Sequence, residues 1–255
     1  MASPEAALRS VILTYHSIDD HGSVLSVSPD TFRRQLEWLA ASGIPVVPLS
    51  QIRRHPGAVA LTFDDGYRNF AEIAWRLLRR YGFPATVFVV AGKVGGRNDW
   101  PALGRHVPAL DLMEWDELQR VVREGAAVGS HDLTHAPNLV LMEEGQLRER
   151  LSSSRAILED RLGVPVRSFA YPYGKVNARL RRAVADCYET GCTTELDFVT
   201  PGADSWLLPR IDAYYVRHLF WFRRLVRPSG FVYVRFRRRL RRLRREALTP
   251  KDRAL

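Results

Sequence analysis

Short apolar runs alternate with amphipathic segments along the first 212 residues. The runs are typical of strands buried on both faces, and the segments between them repeat apolar residues at helical spacing. The predicted strands are 11–15, 46–47, 58–63, 85–90, 126–129, 168–171 and 191–193. The predicted helices are 28–41, 67–81, 114–123, 143–162 and 177–187. This alternation predicts an α/β fold with a parallel sheet or barrel.

Polar residues follow several predicted strands directly, at Asp64, His131 and Tyr173. In parallel α/β folds the carboxyl ends of the strands form the active face, so we expect these side chains to meet there. Residues 92–110 are rich in glycine, proline and asparagine and predict a long loop beside that face.

Charge is distributed unevenly along the chain. The net charge is +10, but residues 213–255 hold fourteen basic and only two acidic residues. The remaining 24 basic residues lie among 26 acidic ones in residues 1–212. We therefore divide the chain into a near-neutral body, 1–212, and a basic tail, 213–255, which argues against a uniformly basic nucleic-acid-binding domain.

The tail has apolar residues at positions i, i+4 and i+7, namely Phe236, Leu240 and Leu243, with arginines around them. This spacing predicts a basic amphipathic helix, for which an anionic membrane surface is a partner. A solvated end and binding to phosphates remain alternatives, of which nucleic acid is the less expected partner.

Composition limits the remaining classes. An apolar share of 46% excludes general disorder, and two cysteines are too few for a disulfide framework. The first 17 residues hold no apolar stretch of signal length, and no run of about 18 apolar residues occurs. We expect a cytoplasmic protein, peripheral at the inner face of the membrane if the tail docks there.

Adjacent carboxylates at Asp64 and Asp65 end the third predicted strand and precede Gly66. Neighbouring side chains diverge, so one acid can bind a cation while the other accepts a proton. A bare Asp-Asp-Gly is also typical of a capped turn with no chemistry.

Two imidazoles, His131 and His135, follow the fifth predicted strand. On a helical turn the i, i+4 spacing places both on one face, which suits a metal pair, and imidazole with carboxylate suits zinc. Two exposed histidines on a turn are the alternative. The segment 171–174, Tyr-Pro-Tyr-Gly, can form a groove wall or a plain turn.

These three motifs, in this order over residues 10–212, resemble the polysaccharide deacetylase family, also known as the NodB homology domain or carbohydrate esterase family four. The Thr-Phe-Asp-Asp-Gly and Ser-His-x-x-x-His motifs carry most of the resemblance. A histidine on the first strand, His16, matches the branch that acts on poly-N-acetylglucosamine-like exopolysaccharides. The resemblance implies a distorted (β/α) barrel of about seven strands, to which the tail adds a basic helix.

The resemblance also implies an activity, the removal of an N-acetyl group from an acetylated amino sugar in a saccharide, lipid-linked glycan or exopolysaccharide. One divalent metal, most often zinc with cobalt or nickel as alternatives, would be held by Asp65, His131 and His135. Asp64 would be the general base that takes a proton from water on the metal. The expected substrate-binding residues are Tyr171, Pro172, Tyr173 and Gly174, with a backbone N–H near Tyr173 facing the oxyanion.

The sequence departs from the family pattern in two places. The arginine that usually orients the base is replaced by Ala170, and we predict Arg210 as its substitute. The usual C-terminal Leu-x-His motif is absent, so we predict His16 as general acid, with His218 as a weaker rival. An O-acetyl esterase, or a non-catalytic member that binds membrane or nucleic acid through its tail, are the alternative functions.

Overall fold

A curled sheet of seven parallel strands forms the centre of the computed structural model, which describes residues 9–101, 103–104 and 106–247. Its strand order is β8-β7-β6-β5-β4-β1-β9, and every pairing is parallel. A separate parallel pair is formed by β2 and β3. The strands are β1 Val11–Tyr15, β2 Ser17–Ile18, β3 Ser26–Val27, β4 Val59–Phe63, β5 Ala85–Val89, β6 Ala127–Ser130, β7 Ser168–Ala170, β8 Thr190–Cys192 and β9 Ile211–Asp212. This sheet confirms the predicted α/β class and the distorted barrel.

Helices connect the strands and cover the outer face of the sheet. They are α1 Pro29–Ser42, α2 Trp75–Arg80, α3 Trp115–Arg123, α4 Glu144–Leu162, α5 Ala178–Cys187, α6 Leu219–Phe222 and α7 Pro228–Ala247. The helix predicted over 67–81 is helical from residue 68 to residue 80, with a π-helical turn at Phe70–Ala74 that continues into α2. The strand predicted at 46–47 is only a single bridge from Val46 to Val59.

Alternation along the strands sorts side chains between two environments. Val11, Leu13 and Tyr15 of β1 belong to the large core between sheet and helices, whereas Ile12 lies with Ala60 in the smaller cluster inside the barrel. The period-two geometry of a strand produces this division. The side chains at positions 12, 14 and 16 face the inside of the barrel. Along β1 the inside of the barrel therefore changes from apolar at Ile12 to polar at Thr14 and His16.

The segment 208–212 closes the curled sheet. Leu208 forms a parallel bridge with Cys192 of β8, and Ile211 of β9 pairs with Leu13 of β1. Backbone hydrogen bonds from Leu208 N to Gly191 O and from Thr193 N to Leu208 O support the first contact. The closing strand was not predicted from the sequence, because two paired residues are too few to produce a periodic signal.

The tail begins inside the fold. Val216, Phe222 and Leu225 are buried in the same core as the body, and Phe231 and Val234 extend that contact into α7. Beyond Val234 the described residues of α7 are mostly exposed. Within the described residues, no helix combines the length and the apolar character needed to cross a bilayer.

Candidate metal and catalytic site

Three buried side chains converge at the carboxyl end of the sheet. Nε2 of His131 and Nε2 of His135 lie 3.4 and 3.5 Å from Oδ1 of Asp65. The ligand atoms of the three side chains all lie within 4.8 Å of one another. Oδ1 of Asp65 is buried and has no hydrogen-bond partner, an arrangement that a cation would satisfy.

The two separations from the Asp65 carboxylate to the imidazoles fit a zinc ion. Ligands about 2.0–2.2 Å from zinc at tetrahedral angles lie about 3.3–3.5 Å apart, which agrees with both of these distances. Nδ1 of His131 lies 2.8 Å from the carbonyl oxygen of Ala170. When Nδ1 carries the proton and donates to this oxygen, Nε2 is free to bind a metal. Two imidazoles and a carboxylate are also a donor set that zinc prefers.

Backbone strain is concentrated around this triad. In the part of the chain that the structure describes, positive φ outside glycine occurs at Asp65, Asp132, His135 and Tyr173, with values of 72°, 73°, 57° and 56°. Such conformations cost free energy and persist where the surroundings enforce them. All four residues are triad members or lie next to it, so the strain belongs to the site.

His131 and His135 are brought together by a loop rather than by the helical turn assumed from their spacing. Residues 131–136 have no helical assignment, and two of them have positive φ. The loop is held by Asp132, which is fully buried and accepts a hydrogen bond from Ala136 N at 2.8 Å. Arg150 of α4 pairs with the same carboxylate, with Nη2 2.8 Å from Oδ2. Burial raises the pKa of Asp132, but Arg150 and the backbone donors outweigh it and keep the pKa below its usual value.

Aromatic rings enclose His135. The rings of Trp100 and Tyr173 each lie 4.5 Å from the His135 ring, centroid to centroid. Burial lowers the pKa of His135 to about 4, so the ring is neutral at pH 7 and its nitrogen can bind a metal.

Asp64 enters a different network from its neighbour. Its two carboxylate oxygens accept hydrogen bonds from Nη1 and Nη2 of Arg210, each at 2.7 Å, and both side chains are buried. Arg210 also donates from Nε to Thr193 O at 2.9 Å. Burial by itself raises the pKa of Asp64, but the charge of Arg210 outweighs it and keeps the pKa below its usual value. Arg210, predicted as the substitute for the arginine missing at position 170, thus contacts the predicted base.

His16 lies on the other side of Asp64, with Nε2 3.9 Å from Oδ2. Asp212 interacts electrostatically with His16, and burial raises the pKa of Asp212 despite this contact. The rival histidine, His218, is exposed before α6 and lines a separate cavity with Asp19 and Asp20. The structure therefore brings His16, and not His218, to the predicted base.

The predicted substrate segment is split between core and site. Tyr171 is fully buried in the core, and its hydroxyl donates to Trp206 O at 2.9 Å. Pro172, Tyr173 and Gly174 form a short 3-10 turn at the edge of the triad. The ring of Tyr173 faces His135, so this turn forms a wall of the site.

Supporting residues were missed from the sequence. Tyr67 is buried beside Asp65, and burial together with the charge of this carboxylate raises the pKa of the Tyr67 hydroxyl. Asn98 donates to the same hydroxyl at 3.1 Å and is itself fixed by Leu110 N, which donates to its Oδ1 at 2.7 Å. Asn98 and Trp100 lie in the long loop, where no periodic pattern marks which side chains turn inward.

Comparisons with known proteins show which sequences this chain is similar to. The sequence profile of the family described as polysaccharide deacetylase matches residues 51–190, more than half of the chain. The YxkH protein of Bacillus subtilis (strain 168) is 27% identical over 203 residues, which cover 76% of this chain and 66% of that protein. The poly-β-1,6-N-acetyl-D-glucosamine N-deacetylase of Staphylococcus aureus (strain MSSA476) is 25% identical over 202 residues, which cover 73% of this chain and 67% of that enzyme.

A solved structure extends the likeness to the fold. IcaB from Ammonifex degensii superposes with a TM-score of 0.72 at 24% identity, over 84% of this chain and 97% of that one. At this identity the likeness concerns the fold alone. The chain spans only about two thirds of the length of the two relatives from Bacillus and Staphylococcus.

Proposed function

The chain belongs to the polysaccharide deacetylase family, and from this we propose that it is a metal-dependent hydrolase of N-acetylated amino sugars. Water and an N-acetyl group would be converted to acetate and a free amine. The observation that carries the proposal is the arrangement of two adjacent carboxylates, one facing two histidines and the other clamped by arginine. A β-1,6-linked N-acetylglucosamine polymer is the proposed substrate class, by analogy with the N-deacetylase from Staphylococcus aureus.

We further propose zinc as the metal, held by Asp65, His131 and His135. When bound, it would supply Lewis acidity toward water and the acetamide carbonyl. Asp64 would accept a proton from the attacking water, and Arg210, which donates two hydrogen bonds to it, would keep that carboxylate ionised and oriented. His16 would donate a proton to the leaving nitrogen, and a backbone N–H of the turn at Tyr173 would donate to the oxyanion.

The test is acetate and free-amine release from N-acetylglucosamine oligomers, after dialysis against chelator and after addition of zinc, cobalt or nickel. We expect activity to require the metal, and Asp64→Asn to lower kcat by about 10²–10⁴-fold as a general base should. Asp160→Asn, on the exposed face of α4, is the matched control. Full activity in the chelated enzyme or in Asp64→Asn would contradict the mechanism, and release only from O-acetylated glycans would make it an esterase.

A further inference from the structure

Helix α7 is fixed to the body along one face. Phe231 packs edge-to-face on Phe198 with ring centroids 4.6 Å apart, and Val234 is buried. Farther along the same face, Arg238 pairs with Glu195 at 2.7 Å, and Nη1 of Arg241 donates to Thr194 O at 2.8 Å. The helix therefore has a defined orientation, with its other face turned to solvent.

An apolar stripe runs along that outer face. At about 100° per residue, four large apolar residues fall within an arc of about 80° that points away from the packed face. Their exposed fractions are Val232 71%, Phe236 59%, Leu240 37% and Leu243 51%. We call these four residues the apolar stripe. Large apolar side chains gathered on a solvent face indicate an interaction surface.

Positive charge surrounds the stripe. The helix Pro228–Ala247 contains eight arginines and one acid, Glu246. Arg235 and Arg239 are exposed on one flank of the stripe, and Arg237 lies on the other with its guanidinium over the ring of Tyr215. Apolar side chains in the middle of a helix face with arginines beside them form the pattern of a helix that lies in a membrane interface.

We propose that α7 binds an anionic lipid bilayer, with the apolar stripe inserted among the acyl chains and the flanking arginines at the headgroups. A lipid surface is favoured over a nucleic acid because phosphate contacts would leave the stripe in water. It is favoured over a second copy of the helix because two such arginine-rich faces repel each other.

Docking would also bring the candidate active site to the bilayer. Thr194, which binds Arg241 of α7, packs so closely on Gly174 that a Cβ there would collide with it. Thr194 thus contacts both α7 and the turn at Tyr173 and Gly174, which forms a wall of the candidate site. This favours a glycan that is carried on a lipid or lies at the membrane surface as the substrate. Only this last step rests on the proposed function; the membrane docking itself does not.

Vesicle co-sedimentation of the full chain tests the docking without reference to enzymatic activity. Phosphatidylcholine vesicles containing about one third phosphatidylglycerol should bind the protein, and pure phosphatidylcholine vesicles should bind it far more weakly. Arg235→Gln with Arg239→Gln should lower the partition coefficient by about 30-fold, the effect of two interfacial charges. Phe236→Ser with Leu240→Ser should lower it by about tenfold or more.

Matched controls lie elsewhere on the surface. Arg54→Gln with Arg182→Gln removes the same charge from exposed sites, and Leu141→Ser removes an exposed leucine. Both should bind vesicles like the unaltered protein, and thermal unfolding should show that all variants are folded. Undiminished binding by either helix variant, or equal binding to neutral vesicles, overturns the proposal. A dimer abolished by Phe236→Ser, or preference for DNA over vesicles, overturns it as well.

Discussion

Asp64 and Asp65 are neighbours in the chain, yet their side chains lead into opposite networks. Asp64 continues the inward series of β4 and meets Arg210, whereas φ of 72° at Asp65 turns its carboxylate toward His131 and His135. A residue with ordinary φ at position 65 would not make this turn. The local backbone thus places the two carboxylates in different surroundings.

Arg210→Met should shift the pH dependence of kcat/KM. The charge of Arg210 lowers the pKa of Asp64, so its removal raises that pKa, and the carboxylate becomes protonated at higher pH. We expect the acidic limb of the profile to move upward by about one pH unit or more. Arg210→Lys, which retains the charge, should move it less.

The control for this measurement is Arg181→Met. Arg181 also pairs with a carboxylate, Asp204, at 2.7 Å, but this pair lies away from the metal triad. Its loss should leave the acidic limb in place. An unmoved limb in Arg210→Met would mean that Asp64 is not the base that the profile reports.

Arg150→Met should destabilise the fold and weaken metal binding together. It leaves the fully buried Asp132 carboxylate without its cation, for which we expect a loss of about 3 kcal/mol in the free energy of unfolding by urea. Because Asp132 holds the loop between His131 and His135, zinc affinity in a competition assay should fall by about 10–100-fold.

Arg148→Met is the matched control in the same helix. Its ion pair with Glu144 is exposed, and such pairs contribute little. Both unfolding and zinc affinity should stay near the unaltered values. If Arg150→Met retained full zinc affinity despite lower stability, the Asp132 contact would be structural only.

Among the strands, β6 positions His131 through unusually close packing. A Cβ at Gly129 would come within 2.6 Å of Ser168 Oγ and would overlap the ring of Phe88. Because Gly129 has no side chain, β5, β6 and β7 can pack closely together just before the loop that contains His131 and His135.

Gly129→Ala should therefore lower the free energy of unfolding by about 1–3 kcal/mol, the usual effect of overpacking. Gly145→Ala is the counterpart in α4, where a Cβ meets nothing within 4 Å, and it should raise stability by up to about 1 kcal/mol. Urea unfolding of both variants measures the two effects. A neutral Gly129→Ala would show that the strands can separate without cost.

Elements with a strong local pattern were predictable, and contacts between distant parts were not. Buried strands such as β1, β4 and β5 are continuous apolar runs, and α4 has its apolar residues at helical spacing, so the sequence predicts them directly. The three residues of the triad were predicted from the family resemblance of the Asp-Asp and His-x-x-x-His motifs.

Other features depend on tertiary contacts that no local pattern encodes. The His131–His135 spacing suits a helix, but Asp132 and Arg150 hold it as a strained loop. Arg150 is one of many arginines, and nothing in its neighbours marks it as buried against an acid. Asn98 is a further case, because it reaches the site through Tyr67, which lies outside the loop that contains Asn98.

At the scale of the whole molecule, metal binding at the triad should stabilise the fold, because the triad joins the end of β4 to the loop after β6. A ligand that binds only the folded state stabilises it, and zinc at about 100 times its dissociation constant should contribute about 2.7 kcal/mol. For a domain of this length we expect Tm to rise by about 5–10 °C over the chelated protein.

Differential scanning fluorimetry with and without chelator measures this shift. Asp65→Asn should remove it, since the variant lacks one ligand of three. A zinc-dependent shift of equal size in Asp65→Asn would place the metal elsewhere.

Because segment 208–212 closes the barrel, the closed barrel can form only after most of the chain has been translated. The predicted base at position 64 is translated early, but the arginine that pairs with it is translated almost 150 residues later, directly before β9. A nascent chain that already contains Asp65, His131 and His135 would still have an Asp64 carboxylate without its arginine. We therefore expect a chain that ends before Arg210 to lack the ion pair of the predicted base, even with the predicted metal ligands present.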